Sequence, residues 1–225
     1  MWLVAVVWAV VAAANAFALR PALSGEAHLW SMWGALGIPY ALLSAVSLYR
    51  LYQDGTLAER LRPKWGDLSI GILLAGVLMF GSWGTRTLLT PTGTQRQAWL
   101  YLIYAQLGPS ETIQRSYALT ATLLAVAALE EIVWRGLVLD ELKQRVGDRR
   151  AWLLTAVLYS AAAVPTAFTL AHPVAGPNPL LVIAALGCGL FWSFTASIIG
   201  RLPPVIVSHM VFNYFMAVVF RPPGL

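Results

Sequence analysis

Apolar residues come in long runs along this chain, and charged ones are largely confined to the short stretches between them. Runs near 20 residues are what a helix needs to cross the hydrocarbon of a bilayer. The pattern predicts helical segments at about Trp2–Leu19, Trp33–Leu51, Leu68–Leu89 and Ser116–Leu142. A fifth starts near Trp152 and is interrupted by Pro165; Leu180–Ile199 and Val205–Val219 complete the set. Ala98–Leu107 is apolar and aromatic but too short to span, which suits a re-entrant or interfacial piece. Pro39 is expected to bend the second segment, and Gly71, Gly76, Gly81 and Gly84 to let the third approach a neighbour closely. No repeat or linker divides the chain. The expected architecture is therefore all-α: a polytopic membrane protein of about seven transmembrane helices plus the short segment, one membrane-embedded domain over residues 1–225.

Composition narrows this further. With 59% hydrophobic and 11% charged residues among 225, almost no room remains for a soluble domain. A net charge of +5 would suggest nucleic-acid binding in a soluble protein. Here the basic residues sit in loops between spans, so the partner they imply is the lipid bilayer and no nucleic acid is expected. Arg50, Arg60, Arg62 and Lys64 flank or follow segment two, Lys143, Arg145, Arg149 and Arg150 follow segment four, and Arg201 follows segment six. This bias predicts that those three loops are cytoplasmic and that both chain ends lie outside. The first nineteen residues lack a basic leader and read as a first transmembrane helix rather than a signal peptide. The loop at Arg20, Pro21 and Glu26 holds His28, read as a surface or headgroup-level histidine. The single cysteine, Cys188, has no disulfide partner and reads as packing beside Gly187 and Gly189.

Segment four carries the chemistry. It places Glu130, Glu131 and Arg135 within a hydrophobic run, and carboxylates at membrane depth point to function. Glu131 and Arg135 are four apart and can face each other, while Glu130 points about 100° away. One carboxylate is thus held by the arginine and one is left for chemistry. Glu130 lies about 15 Å from the polar end at Asp140, at 1.5 Å per residue. Segment seven starts beside Pro203 and Pro204 on the same side, which brings His209 and Asn213 to a similar depth and onto one helical face. Ser208 points the wrong way to join them, and His172 falls at the far end of segment five, near the outer surface. A desolvated carboxylate beside a histidine can activate water, and an asparagine amide with an imidazole can stabilise a developing oxyanion. HExxH is absent and His209 with carboxylates falls short of a zinc ligand set, so metal-free water activation ranks first and no metal or cofactor is expected.

These residues resemble the CPBP intramembrane proteases, also called the CAAX protease or bacteriocin-processing family. The resemblance rests on Glu130, Glu131 and Arg135 in EEIVWRG, on His209 and Asn213 in SHMVFNYF, and on the distance between them. It covers about Tyr117–Met216, within a catalytic-type half at 116–220. It implies an intramembrane endopeptidase that hydrolyses peptide bonds of membrane-associated proteins, prenylated or not, toward the cytoplasmic side of a bacterial or archaeal inner membrane. It further implies that Glu130 and a histidine about thirty residues later activate water, that His209 and Asn213 stabilise the oxyanion, and that Glu131 and Arg135 support the site. Ala163, at the end of Tyr159-Ser-Ala-Ala-Ala163, stands where that histidine is expected. Turnover in this chain is therefore expected to be impaired, unless His172 reaches the site instead. A non-catalytic protein that binds a peptide or partner through the same site is the alternative.

Overall fold

Where no water can bond the backbone, a chain must close its hydrogen bonds within each segment, and the apolar runs do so as helices. The computed structural model describes residues 1–20 and 26–222. The expected loop at Pro21 and the last residues of the RPPGL tail lie outside the described residues. In chain order the helices are α1 (Trp2–Ala18), α2 (Glu26–Gln53), α3 (Leu57–Leu61), α4 (Asp67–Leu89), α5 (Gln97–Leu107) and α6 (Ser110–Arg115). Next, α7 (Tyr117–Glu131) runs on through a π segment (Ile132–Val138) into α8 (Leu139–Val146). Then come α9 (Asp148–Ala162), α10 (Val164–Thr169), α11 (Leu180–Ile199) and α12 (Pro203–Tyr214), the last ending in a second π segment (Phe215–Val219). The protein is an all-α, membrane-spanning bundle with, among the described residues, four stretches long and apolar enough to cross: His28–Gln53, Asp67–Leu89, Asp148–Thr169 and Leu180–Ile199. Trp2–Ala18 and Pro203–Val219 are apolar but shorter. A count of seven requires these two, and the charged helix from Tyr117, to cross as well.

The three basic loops share one end of the bundle, tied by the short helix α3. Arg60 donates to Gly200 O at 2.7 Å, to Arg135 O at 3.0 Å and to the Asp140 carboxylate at 2.9 Å. Its own carbonyl accepts from Leu202 N at 2.9 Å. Arg201 forks Asp67 at 2.6 and 2.8 Å, and this hydrogen bonding lifts the Arg201 guanidinium above its ordinary value. Arg50 pairs with Glu141 nearby. Beside this end, Gly71 lets α4 lie directly on α12: a Cβ there would fall 2.5 Å from Val207 and 2.9 Å from the Pro204 carbonyl.

The short apolar stretch forms α5 and lies across the opposite end. Trp99 Nε1 donates to Gly176 O at 3.2 Å, Asn178 Nδ2 donates to Trp99 O at 3.0 Å, and Tyr104 donates to the Phe220 carbonyl. Two expectations are corrected here. His28 is buried, not at the surface, because α2 starts earlier than the pattern suggested and Gln106 of α5 covers the ring, 3.0 Å from its Nε2. The chain ends are also not on one side. α1 runs antiparallel to α2, with Asn15 bonded to Ala162 O at 2.9 Å, so Met1 lies toward the basic end while Phe220 lies at the other.

Candidate active site

The helix that carries the glutamates is irregular just after them. Ser116 caps its start, the hydroxyl accepting from Leu119 N at 3.3 Å. From Ile132 to Val138 the winding widens to π geometry, a form found mostly as short bulges at functional sites. Carbonyls around such a bulge need partners, and neighbouring elements supply them. Ser44 Oγ donates to Leu129 O at 3.1 Å, Ser47 Oγ to Ile132 O at 2.9 Å, and Arg60 to Arg135 O. Gly136 makes room for this approach, since a Cβ there would lie 3.1 Å from Ser47 Oγ and 3.3 Å from Leu202.

Inside the bundle, Arg135 Nη1 donates to Glu131 Oε1 at 3.0 Å, and both side chains are completely buried. His209 Nδ1 lies 2.7 Å from the same oxygen. An ionised carboxylate only accepts, so Nδ1 carries the proton in this contact and Nε2 is the ring atom left for another partner. Trp192 of α11 backs the imidazole, stacked at 3.9 Å between ring centroids, and is itself fixed by donating Nε1 to Ser208 Oγ at 3.0 Å. The Arg135 guanidinium sits 4.8 Å from the Tyr159 ring centre and 5.5 Å from that of Trp192, within cation–π range. Four helices are thus cross-linked through one buried ion pair.

Glu130 points away from this pair, as its 100° offset requires. It is half-buried, and its Oε2 accepts from the Tyr159 hydroxyl of α9 at 2.9 Å. Tyr159 stands edge-on to Trp134 at 5.3 Å, and Trp134 Nε1 donates to Tyr40 OH at 3.1 Å. Gly189 lets α11 close over this group, a Cβ there lying 3.1 Å from the Tyr159 ring.

Each residue singled out in the sequence now has a position. Glu131, Arg135 and His209 are in direct contact, and Glu130 is adjacent through Tyr159. The imidazole meets Glu131 rather than Glu130. Asn213 is half-buried one turn beyond His209 and makes no side-chain hydrogen bond among the described residues. Ala163 is buried where α9 gives way to α10, four residues past Tyr159. His172 stays in its own turn at the other end of α10, its Nδ1 accepting from Val174 N at 3.3 Å and Ala175 N at 3.2 Å. It does not replace Tyr159 as the partner of Glu130. Cys188 is buried in α11. Among the described residues no group of three His, Cys, Asp or Glu is arranged to hold an ion.

Tyr159 and Trp192 are the site residues that sequence reasoning missed. For Tyr159 a signal existed: a hydroxyl-bearing ring four residues before Ala163, hence on the same helical face. For Trp192 there was none, since a tryptophan in an apolar run fits any lipid-facing helix. No curated protein and no solved structure matches the chain. Residues 112–215 match the family model Type II CAAX prenyl endopeptidase Rce1-like, a match to the CAAX protease (CPBP) family over that part of the chain.

Proposed function

We propose that the chain is an intramembrane endopeptidase of the CAAX protease type, acting on membrane-associated proteins or peptides and impaired in turnover by Ala163. The observation that carries this reading is the Glu130–Tyr159 contact beside the buried Glu131–Arg135–His209 group. Glu130 is the carboxylate not engaged by the arginine. As general base it takes a proton from water, and the resulting hydroxide attacks the peptide carbonyl carbon. Negative charge then develops on the carbonyl oxygen, where the Asn213 amide and, when both ring nitrogens carry protons, His209 Nε2–H are the donors this reading assigns. The proton passes to the leaving amine as the C–N bond breaks. Glu131 and Arg135 hold His209 in place, as an orienting carboxylate does for a catalytic imidazole elsewhere.

Position 163 follows Tyr159 by four residues, so a side chain there shares the face that already holds Glu130. An imidazole at this point would lie about 5–6 Å from the tyrosine, measured between Cβ atoms, and would give Glu130 a second proton partner. Cleavage of membrane-tethered peptides, prenylated and not, by the parent and by Ala163→His tests the proposal. Gain of cleavage in Ala163→His, abolished by Glu130→Gln, is the expected result. If neither protein cleaves while both bind the peptides, the second reading is correct: a peptide- or partner-binding membrane protein, which Ala163 itself favours. The seven-span topology with the basic end in the cytoplasm belongs to the same proposal and is read out by cysteine accessibility in sealed vesicles.

A further inference from the structure

Away from the glutamates, a cavity of about 510 Å³ opens between the end of α4 and the end of α12, lined by Trp83, Arg86, Thr87, Thr90 and Arg221 among others. Two guanidinium groups face it, and neither forms a salt bridge among the described residues. Arg221 is pinned by its backbone neighbours, Nε donating to Ala217 O at 2.7 Å and Nη1 to Gly108 O at 2.6 Å, with Nη2 buried and unpartnered. That Nη2 thus meets neither water nor an acceptor among the described residues, although the charge of Glu111 reaches the guanidinium without bonding it. Arg86 lies over the Phe220 ring at 5.1 Å and donates no side-chain hydrogen bond among the described residues, so its fork is available. The hydroxyls do not compete for a ligand as donors: Thr87 donates to Trp83 O at 3.0 Å and Thr90 to Arg86 O at 2.9 Å.

An anion with several acceptor oxygens answers this arrangement, because a planar guanidinium binds phosphate through two parallel bonds. The cavity lies at the end of an apolar span, the depth at which lipid phosphates sit. Phe80, Trp83 and Leu88 on the adjoining surface of α4 are exposed and offer a face for acyl chains. We propose that this cavity binds the phosphate of an anionic phospholipid, gripped by Arg86 and drawn in by the fixed charge of Arg221. The lipid would thereby join α4 to the end of α12 on the face opposite the basic loops.

The test uses the full chain, delipidated in a neutral detergent, with thermal melting followed against added phosphatidylglycerol or inorganic phosphate. Phosphatidylglycerol is expected to raise Tm by about 3 °C or more near saturation, as ligand linkage gives for a chain of this size. Arg96→Gln, an exposed arginine at the same end but outside the cavity, should keep this rise, and Arg86→Gln should lose at least half of it. Arg86→Gln leaves every Arg221 bond in place, so its fold is retained for the comparison. An equal rise in Arg86→Gln and parent, or no rise in the parent, overturns the proposal. A rise with inorganic phosphate but none with the lipid overturns the assignment to a membrane lipid.

Discussion

Replacing Arg135 by methionine removes the cation from a pair in which both partners are completely buried and leaves Glu131 with His209 as its hydrogen-bonding partner. One Glu131 oxygen already has no partner among the described residues, so the carboxylate has no reserve of donors there to fall back on. Breaking a buried pair from one side costs about 3–5 kcal/mol, whereas replacing both members by uncharged groups of similar size is often close to neutral. The sign of the coupling is therefore set: Arg135→Met alone should lose more than the Glu131→Gln/Arg135→Met double variant. In the double variant the side-chain amide introduced at position 131 still accepts from His209. For a chain of this length the single loss corresponds to a fall of roughly 10 °C in Tm. Unfolding of all four members of the cycle in detergent, followed by tryptophan fluorescence, gives the coupling energy directly, expected at about 2 kcal/mol or more. Additivity within about 0.5 kcal/mol would refute the reasoning, because it would mean that Glu131 and Arg135 do not depend on each other.

Gly71→Ala should destabilise the bundle by about 1–3 kcal/mol, because the new methyl meets Val207 and a backbone carbonyl; Gly76→Ala on the same helix, with nothing within 4 Å, should be neutral or slightly stabilising. Melting temperatures of the two variants check this contrast. Ser47→Ala removes a hydrogen bond from the Ile132 carbonyl at the π segment and should cost about 0.5–1.5 kcal/mol in the same assay. Tyr159→Phe, introduced beside Ala163→His, should lower kcat for peptide cleavage by about tenfold with little change in KM, since the lost hydrogen bond positions Glu130 rather than substrate. A change confined to KM would remove Tyr159 from that role.

The boundaries of most helices were legible because hydropathy alone decides where a chain can sit in lipid; Leu180–Ile199 agrees to the residue. The four-residue spacing of Glu131 and Arg135 likewise gave their pairing, which depends only on helical geometry. What the string of residues did not carry was the winding after Glu131. A π segment shifts every later side chain around the helix, and its stability comes from Ser44, Ser47 and Arg60, residues that no local pattern links to it. That His209 meets Glu131 rather than Glu130 depends on contacts between helices distant in sequence. His28 was misread for a related reason: its burial is set by α5, a helix some seventy residues later.

The grip of Arg60 on Gly200, Arg135 and Asp140 has a mechanical corollary. One side chain fastens its own short helix to two separate lengths of chain, the helix running on from α7 into α8 and the turn after α11, so its removal would loosen both at once.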